Sequence, residues 1–262
     1  MAGAGMKRTF AVANRKGGVG KTTTAINLTA CLAQMGRKAL LVDLDPQANA
    51  TTGCGVDRDA VGLSTYDLLM GKAPAADIRV RIDSAGFDLL PATAALTAAE
   101  VELLQLDSGR ELRLRDALAE VLFRYQAILF DCPPSLNILT LNALVAAEGV
   151  LVPIQCEYFS LEGLSSLVGV IEDLCAHSNP DLEISGIIRT MYDGRNRLAR
   201  DVSAQLQKHF PDELFRTIIP RNVRLAEAPG FGVPAIQHDR LARGALAYAA
   251  LAGELVRRGL SE

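Results

Sequence analysis

Within the 262-residue chain, the run Asn14-Arg15-Lys16-Gly17-Gly18-Val19-Gly20-Lys21-Thr22-Thr23-Thr24 carries the most chemistry per residue. Glycines there let consecutive backbone N–H groups turn inward, forming an anion nest where a helix begins. Gly17, Gly18, Val19 and Gly20 supply the nest, and Lys21 is placed to reach the β- and γ-phosphates of a nucleotide. The Thr22 hydroxyl is placed on Mg2+, and Thr23 on the α-phosphate. The pattern departs from GxxxxGK[ST] at its first position, where the chain has Arg15, followed by an additional lysine, Lys16.

Acids follow at matching places. Leu40-Leu41-Val42-Asp43-Leu44-Asp45-Pro46 reads as an apolar strand ending in two carboxylates. Alternation along a strand puts Asp43 and Asp45 on one side. A carboxylate there can orient an attacking water or hold Mg2+ through water. Ala127-Ile128-Leu129-Phe130-Asp131 is a second apolar strand closed by an aspartate, which places Asp131 near the same Mg2+. Pro133 and Pro134 stiffen the exit toward Ser135 and Leu136, where a nucleotide-sensing switch would sit.

These residues need strands that end together. Apolar, β-rich runs fall at residues 9–14, 38–45, 86–92, 126–133, 149–154, 183–192 and 214–220. Helix-period segments fall at 22–35, 94–106, 111–123, 136–147, 161–176, 198–210 and 240–257. Alternation of the two predicts an α/β fold, a mostly parallel, doubly wound sheet with helices on both faces. Ligands in such sheets bind at the carboxyl ends of the strands. Residues 1–6 are expected to be a disordered leader and 7–260 a single domain.

Composition excludes several classes. With 49% hydrophobic and 22% charged residues the chain is not disordered. Five cysteines form no CxxC pair, which fits a reducing cytoplasm. No apolar run approaches the roughly 20 residues of a membrane span. A net charge of −3 argues against a uniformly basic nucleic-acid binder. Charge is uneven, however: between Arg189 and Arg224 eight basic residues meet four acidic ones. That pattern suits a basic patch on an acidic body.

KGGVGKTTTAINL, LLVDLDPQANAT, LLPAT, PPSLNILTLNAL, TMYDGR and TIIPRNVRLAEAPGFG, in this order, cover nearly all of residues 7–250. Together they resemble the chromosome-partitioning ParA/Soj ATPases, P-loop NTPases of the deviant Walker A (SIMIBI) type. The resemblance implies a slow, Mg2+-dependent ATPase that cycles between ATP and ADP. It implies that Lys16 crosses a dimer interface to the partner's phosphates, joining Lys21 and the water-activating Asp45 as the catalytic set. Asp43 then supports Mg2+ or a switch, alongside Thr22 and Asp131. Pro220 would pack on the adenine and Asn222 would bond its edge. Arg195 and Arg224 match the family's DNA-binding positions, with Arg197 and Arg221 as further candidates. Implied partners are a second copy of the chain in an ATP-bound homodimer, non-specific double-stranded DNA and a ParB/Spo0J-like protein. The implied location is cytoplasmic and nucleoid-associated, with no membrane.

Two other readings stay open. A MinD-like membrane ATPase needs a basic, amphipathic C-terminal helix, whereas the tail GALAYAALAGELVRRGLSE is rich in alanine. A metabolic ligase of the same P-loop branch, akin to dethiobiotin synthetase, would use ATP to activate a carboxylate. An iron–sulfur role for Cys132 needs a second suitably placed cysteine.

Overall fold

Residues 8–259 are described by the computed structural model. Its strands are β1 (Thr9–Val12), β2 (Ala39–Asp43), β3 (Val80–Ile82), β4 (Phe87–Leu90), β5 (Ala127–Asp131), β6 (Gly149–Gln155), β7 (Glu183–Tyr192) and β8 (Leu214–Pro220). They form one sheet in the order β3-β4-β2-β5-β1-β6-β7-β8. Every pairing is parallel except that of β3, which runs antiparallel to β4 at one edge. The mostly parallel sheet expected from the sequence is therefore present, with one short edge strand unforeseen. The leader expected over residues 1–6 lies outside the described residues.

Helices cover both faces. In chain order they are α1 (Lys21–Gln34), α2 (Asn49–Gly53), α3 (Thr65–Leu69), α4 (Ala75–Ile78), α5 (Leu96–Leu104), α6 (Arg113–Leu118), α7 (Ile138–Ala146), α8 (Ser160–His177), α9 (Arg197–His209), α10 (Val223–Glu227), α11 (Ala235–His238) and α12 (Arg243–Arg257). Successive strand residues point to opposite faces, so each central strand feeds two cores. Ala11, Leu40, Val42, Ile128 and Phe130 meet Leu96, Leu118, Leu139 and Leu164 of α5 to α8 on one side. Phe10, Val12, Leu41 and Leu129 meet Leu28 and Leu32 of α1 and Tyr248 and Leu251 of α12 on the other. Each fully buried Leu or Phe in these two cores stabilises the fold by roughly 1.5–3 kcal/mol.

This layering positions the site. β1 lies between β5 and β6, and α1 and α7 leave on opposite faces. The carboxyl ends of β1, β2, β5, β6 and β7 consequently open together, where a phosphate-binding loop has room.

Candidate functional site

The loop after β1 ends at Gly20, whose φ of 89° caps α1 in the left-handed region that a side chain would strain. Neighbouring strands hold this loop from behind. Thr190 at the end of β7 donates its hydroxyl to the Val19 carbonyl at 2.7 Å. Gln155 at the end of β6 donates to the Gly18 carbonyl at 3.0 Å and to Met191 Sδ. Asn14 bridges, donating to the Pro153 carbonyl at 2.7 Å while accepting from the Lys16 N–H at 3.0 Å. These donors occupy the Gly18 and Val19 carbonyls, which leaves the loop N–H groups to turn toward an anion. Asn14, Gln155 and Thr190 carried no assigned role in the sequence; only their shared place beside β1 exposes one.

The two lysines of the loop are treated differently. Lys21 is 7% exposed and donates to the Lys16 carbonyl at 3.1 Å. Burial pushes its ammonium below the ordinary lysine range, against the pull of Asp131 and Asp45. The Lys16 side chain is 40% exposed and leaves the nest to pair with Glu157, just beyond β6. Arg15 donates to Ser166 of α8.

Asp43 and Asp131 end adjacent strands in direct register. Both are fully buried, and burial raises both carboxyls, Asp43 to about 6. Their surroundings separate them. Asp43 accepts from the Thr51 N–H and hydroxyl, each at 2.8 Å, and from the Asp45 N–H at 3.1 Å. Neither oxygen of Asp131 has a donor in hydrogen-bond geometry among the described residues. Thr22 and Lys21 draw its carboxyl downward, but less than burial and the Asp43 charge push it up. A buried carboxylate without a donor is costly unless a cation completes it.

β2 stops at Asp43, so strand alternation does not reach Asp45. Asp45 instead opens a turn, accepting from the Gln47 N–H at 2.9 Å through its side chain and from the Ala48 N–H through its carbonyl. Its backbone is tied to Asp43, which makes Asp43 the anchor of the loop that carries Asp45.

The donor set fits a magnesium nucleotide. Asp131, the Thr22 hydroxyl and the anchored Asp43 present hard oxygen atoms, the kind Mg2+ takes. No group of three or more His, Cys, Asp or Glu residues forms a closed metal cage among the described residues. A cation here would complete its shell with phosphate oxygens and water. Thr22, Thr23, Ile26, Asn27, Asn49 and Pro229 line a cavity of about 280 Å3 beside the nest. Pro220 ends β8 in register with Tyr192 of β7, two residues beyond Thr190. Asn222 follows, its Oδ1 buried and without a hydrogen-bond partner among the described residues. Cys132 and Cys156 are buried free thiols raised by burial, which leaves nothing to support a surface cluster.

The arginines are less uniform than the sequence implied. Arg189 is buried and structural, donating to Ser203 Oγ at 2.9 Å and to the Phe215 carbonyl at 2.8 Å. Arg195 projects into solvent and pairs with Asp193 at 2.7 Å; Arg197 lies 3.7 Å from Asp201. Arg224 pairs with Glu227 at 2.8 Å and Asp239 at 3.4 Å. Arg221 is exposed, close enough to Asp193 to lower its carboxyl.

The chain matches the family model described as an AAA domain over residues 7–184. It is 49% identical over 253 residues to the chromosome partitioning protein ParA of Caulobacter vibrioides, covering 96% of this chain and 94% of the relative. To the sporulation initiation inhibitor protein Soj of Bacillus subtilis it is 47% identical, covering 97% and 100%. Among solved structures it resembles cobyrinic acid a,c-diamide synthase from Mycobacterium smegmatis with bound ADP and magnesium, at TM-score 0.84 and 38% identity, covering 96% and 95%. Near-full-length identity to two partitioning proteins, with the deviant phosphate loop and its aspartates at the carboxyl ends of the central strands, decides the matter: the chain belongs to the ParA/Soj family of chromosome-partitioning ATPases.

Proposed function

We propose that residues 7–260 form a single-domain, ATP-driven DNA-partitioning switch that closes into a face-to-face homodimer when loaded with ATP and Mg2+. The observation that carries this reading is the division between Lys21, buried in the nest, and Lys16, which turns outward onto Glu157. A lysine that leaves its own nest is free to neutralise phosphate charge in a second protomer. The exposed aromatic pair Tyr158 and Phe159, 74% and 70% exposed beside Glu157, supports a partner surface at that face.

In this reading Gly17 to Gly20 and Lys21 bind the phosphates. Thr22 and Asp131, with Asp43, would hold Mg2+, whose positive charge would offset the negative charge of the phosphate oxygens. Asp45 orients the attacking water and accepts its proton. Pro220 and Asn222 receive the adenine, the free Asn222 Oδ1 accepting from its amine. With an aspartate alone and no arginine finger, turnover is slow. Arg195 and Arg224, aided by Arg197 and Arg221, hold duplex DNA through its phosphates, without sequence readout. Pairing two weak patches raises affinity by valency. A ParB/Spo0J-like protein stimulates hydrolysis, and the protein acts on the nucleoid in the cytoplasm.

The test is gel filtration and DNA retention with ATP and Mg2+. A dimer that retains DNA at low salt is expected; a monomer indifferent to both sinks the reading. Lys16→Ala should keep ATP binding and lose the dimer.

Neither alternative is favoured over this reading. No described helix is long and apolar enough to cross a membrane, and the apolar face of α12 is packed against α1 and β8. The diamide-synthase likeness is weaker in identity than the likeness to ParA and Soj. A small-molecule carboxylate that alone accelerated hydrolysis would favour the ligase reading.

A further inference from the structure

At the opposite end of the sheet, where the strands begin, lies an open cavity of about 930 Å3. The strands between it and the phosphate loop span four or five residues, roughly 13–17 Å at the strand rise. The two sites are therefore distinct.

Its lining is strongly one-signed. Arg8, Arg37, Lys38, Arg79, Arg81 and Arg124 line it, with Asp88 the one acidic residue of the lining. Asp88 is the buried floor, accepting from Arg79 at 3.0 Å, Arg81 at 3.1 Å and the Tyr125 hydroxyl at 2.8 Å. Arg81 also lies 3.7 Å from Asp83 at the rim. No carboxylate within 4.0 Å pairs with the side chains of Arg8, Arg37, Lys38 or Arg124 among the described residues. The carboxyl end of α1 opens on the same space, but its partial charge of about half a unit does not balance four cations. Phe123 adds a flat apolar face at the wall, 73% exposed, with the Arg124 guanidinium 5.7 Å from its ring centre.

We propose that this cavity is a second anion site, binding a small phosphorylated nucleotide apart from the phosphate loop. Guanidinium groups match phosphate oxygens in bidentate geometry, and several converge here. The Phe123 ring offers a stacking face for a base. Volume decides against a duplex: the cavity is the size of a small-ligand pocket, and a DNA helix would touch only its rim. The site goes beyond the partitioning reading and does not depend on it.

The probe is adenosine 3′,5′-bisphosphate, titrated calorimetrically into protein whose phosphate loop is already filled with ADP and Mg2+. One salt-sensitive binding event per chain is expected. The paired change Arg37→Glu, Lys38→Glu should weaken it at least about tenfold through reversal of two charges, leaving ADP affinity and circular dichroism unchanged. Phe123→Ala should weaken the bisphosphate by about threefold or more while tripolyphosphate binds as before. No binding to the ADP-filled protein, or binding undiminished by the charge reversal, overturns the proposal. So does a charge reversal whose sole effect is lost retention of duplex DNA, which would make the cavity part of a DNA track.

Discussion

Two lysines five positions apart in one loop meet opposite environments, and two aspartates in register across adjacent strands do the same. The exposed Lys16–Glu157 pair is worth at most about 1 kcal/mol, so releasing Lys16 is cheap. Glu157→Gln should accordingly shift the ATP midpoint of dimerisation by no more than about fivefold, read by gel filtration or light scattering. Asp131 is the costlier residue, a buried carboxylate drawn down by Thr22 and Lys21 but with no donor in hydrogen-bond geometry among the described residues. Asp131→Asn should raise the melting temperature of the nucleotide-free protein by about 2–4 °C while abolishing the further rise produced by ATP with Mg2+. A lower melting temperature in the variant would show that the Asp131 carboxyl stabilises the nucleotide-free fold and would sink this account. Asp45→Ala should leave ATP binding intact and slow single-turnover hydrolysis by about a hundredfold or more. The glycines, Lys21 and the three aspartates were legible as a candidate site because each sits in a short local motif that closes an apolar strand. Asn14, Gln155 and Thr190 were not, because three separate strands bring them together.

At the scale of elements, the long helices and central strands were foreseen within a few residues because burial on both faces imposes near-continuous apolar runs. β3 was missed: three residues with an arginine in the middle carry no such run. The segment 111–123, expected as one helix, breaks after Leu118, and the turn that follows brings Tyr125 to Asp88 of β4, across β2 from β5. α12 shows what pins an element in place. Glu254, 7% exposed, accepts from the Arg216 and Thr217 N–H groups at 2.8 and 2.9 Å and from the Thr217 hydroxyl at 2.7 Å, clasping edge strand β8. Burial opposes its charge, but these donors and Arg258 outweigh it and hold the carboxyl below the ordinary glutamate range. Glu254→Ala should cost about 2 kcal/mol in urea unfolding at pH 7. A depressed folded value means that this stabilisation is complete above the unfolded value near 4.3 and fades as pH falls through the folded one. The gap between wild type and variant should therefore narrow below about pH 4. A gap constant with pH would assign the loss to packing alone.

For the whole molecule, charge is arranged by face more than by segment. With the buried Arg189 set aside, Arg195, Arg197 and Arg224 of the basic stretch pair with the partly or fully exposed carboxylates of Asp193, Asp201, Glu227 and Asp239. Surface pairs of this kind are worth about 0–1 kcal/mol, so a phosphate can take the carboxylate's place at little cost. Arg195→Ala with Arg224→Ala should reduce the slope of log affinity against log salt by about two per protomer, with ATP-dependent dimerisation retained. An unchanged slope would move the DNA surface elsewhere. The sequence by itself determined the alternating sheet architecture, the phosphate nest and the acids that follow its strands. Those signals are local: apolar periodicity, glycines at a turn, one carboxylate closing each run. Tertiary structure alone decided which lysine leaves the nest, which aspartate is left without a donor and which arginine is withdrawn into the core. It also gathered cations from the starts of β1 and β2, from the β3 region and from the turn before β5 into one cavity. The physical reason is common to all of these: hydrogen-bond satisfaction and charge balance are settled between segments far apart in the chain, which no spacing along it records.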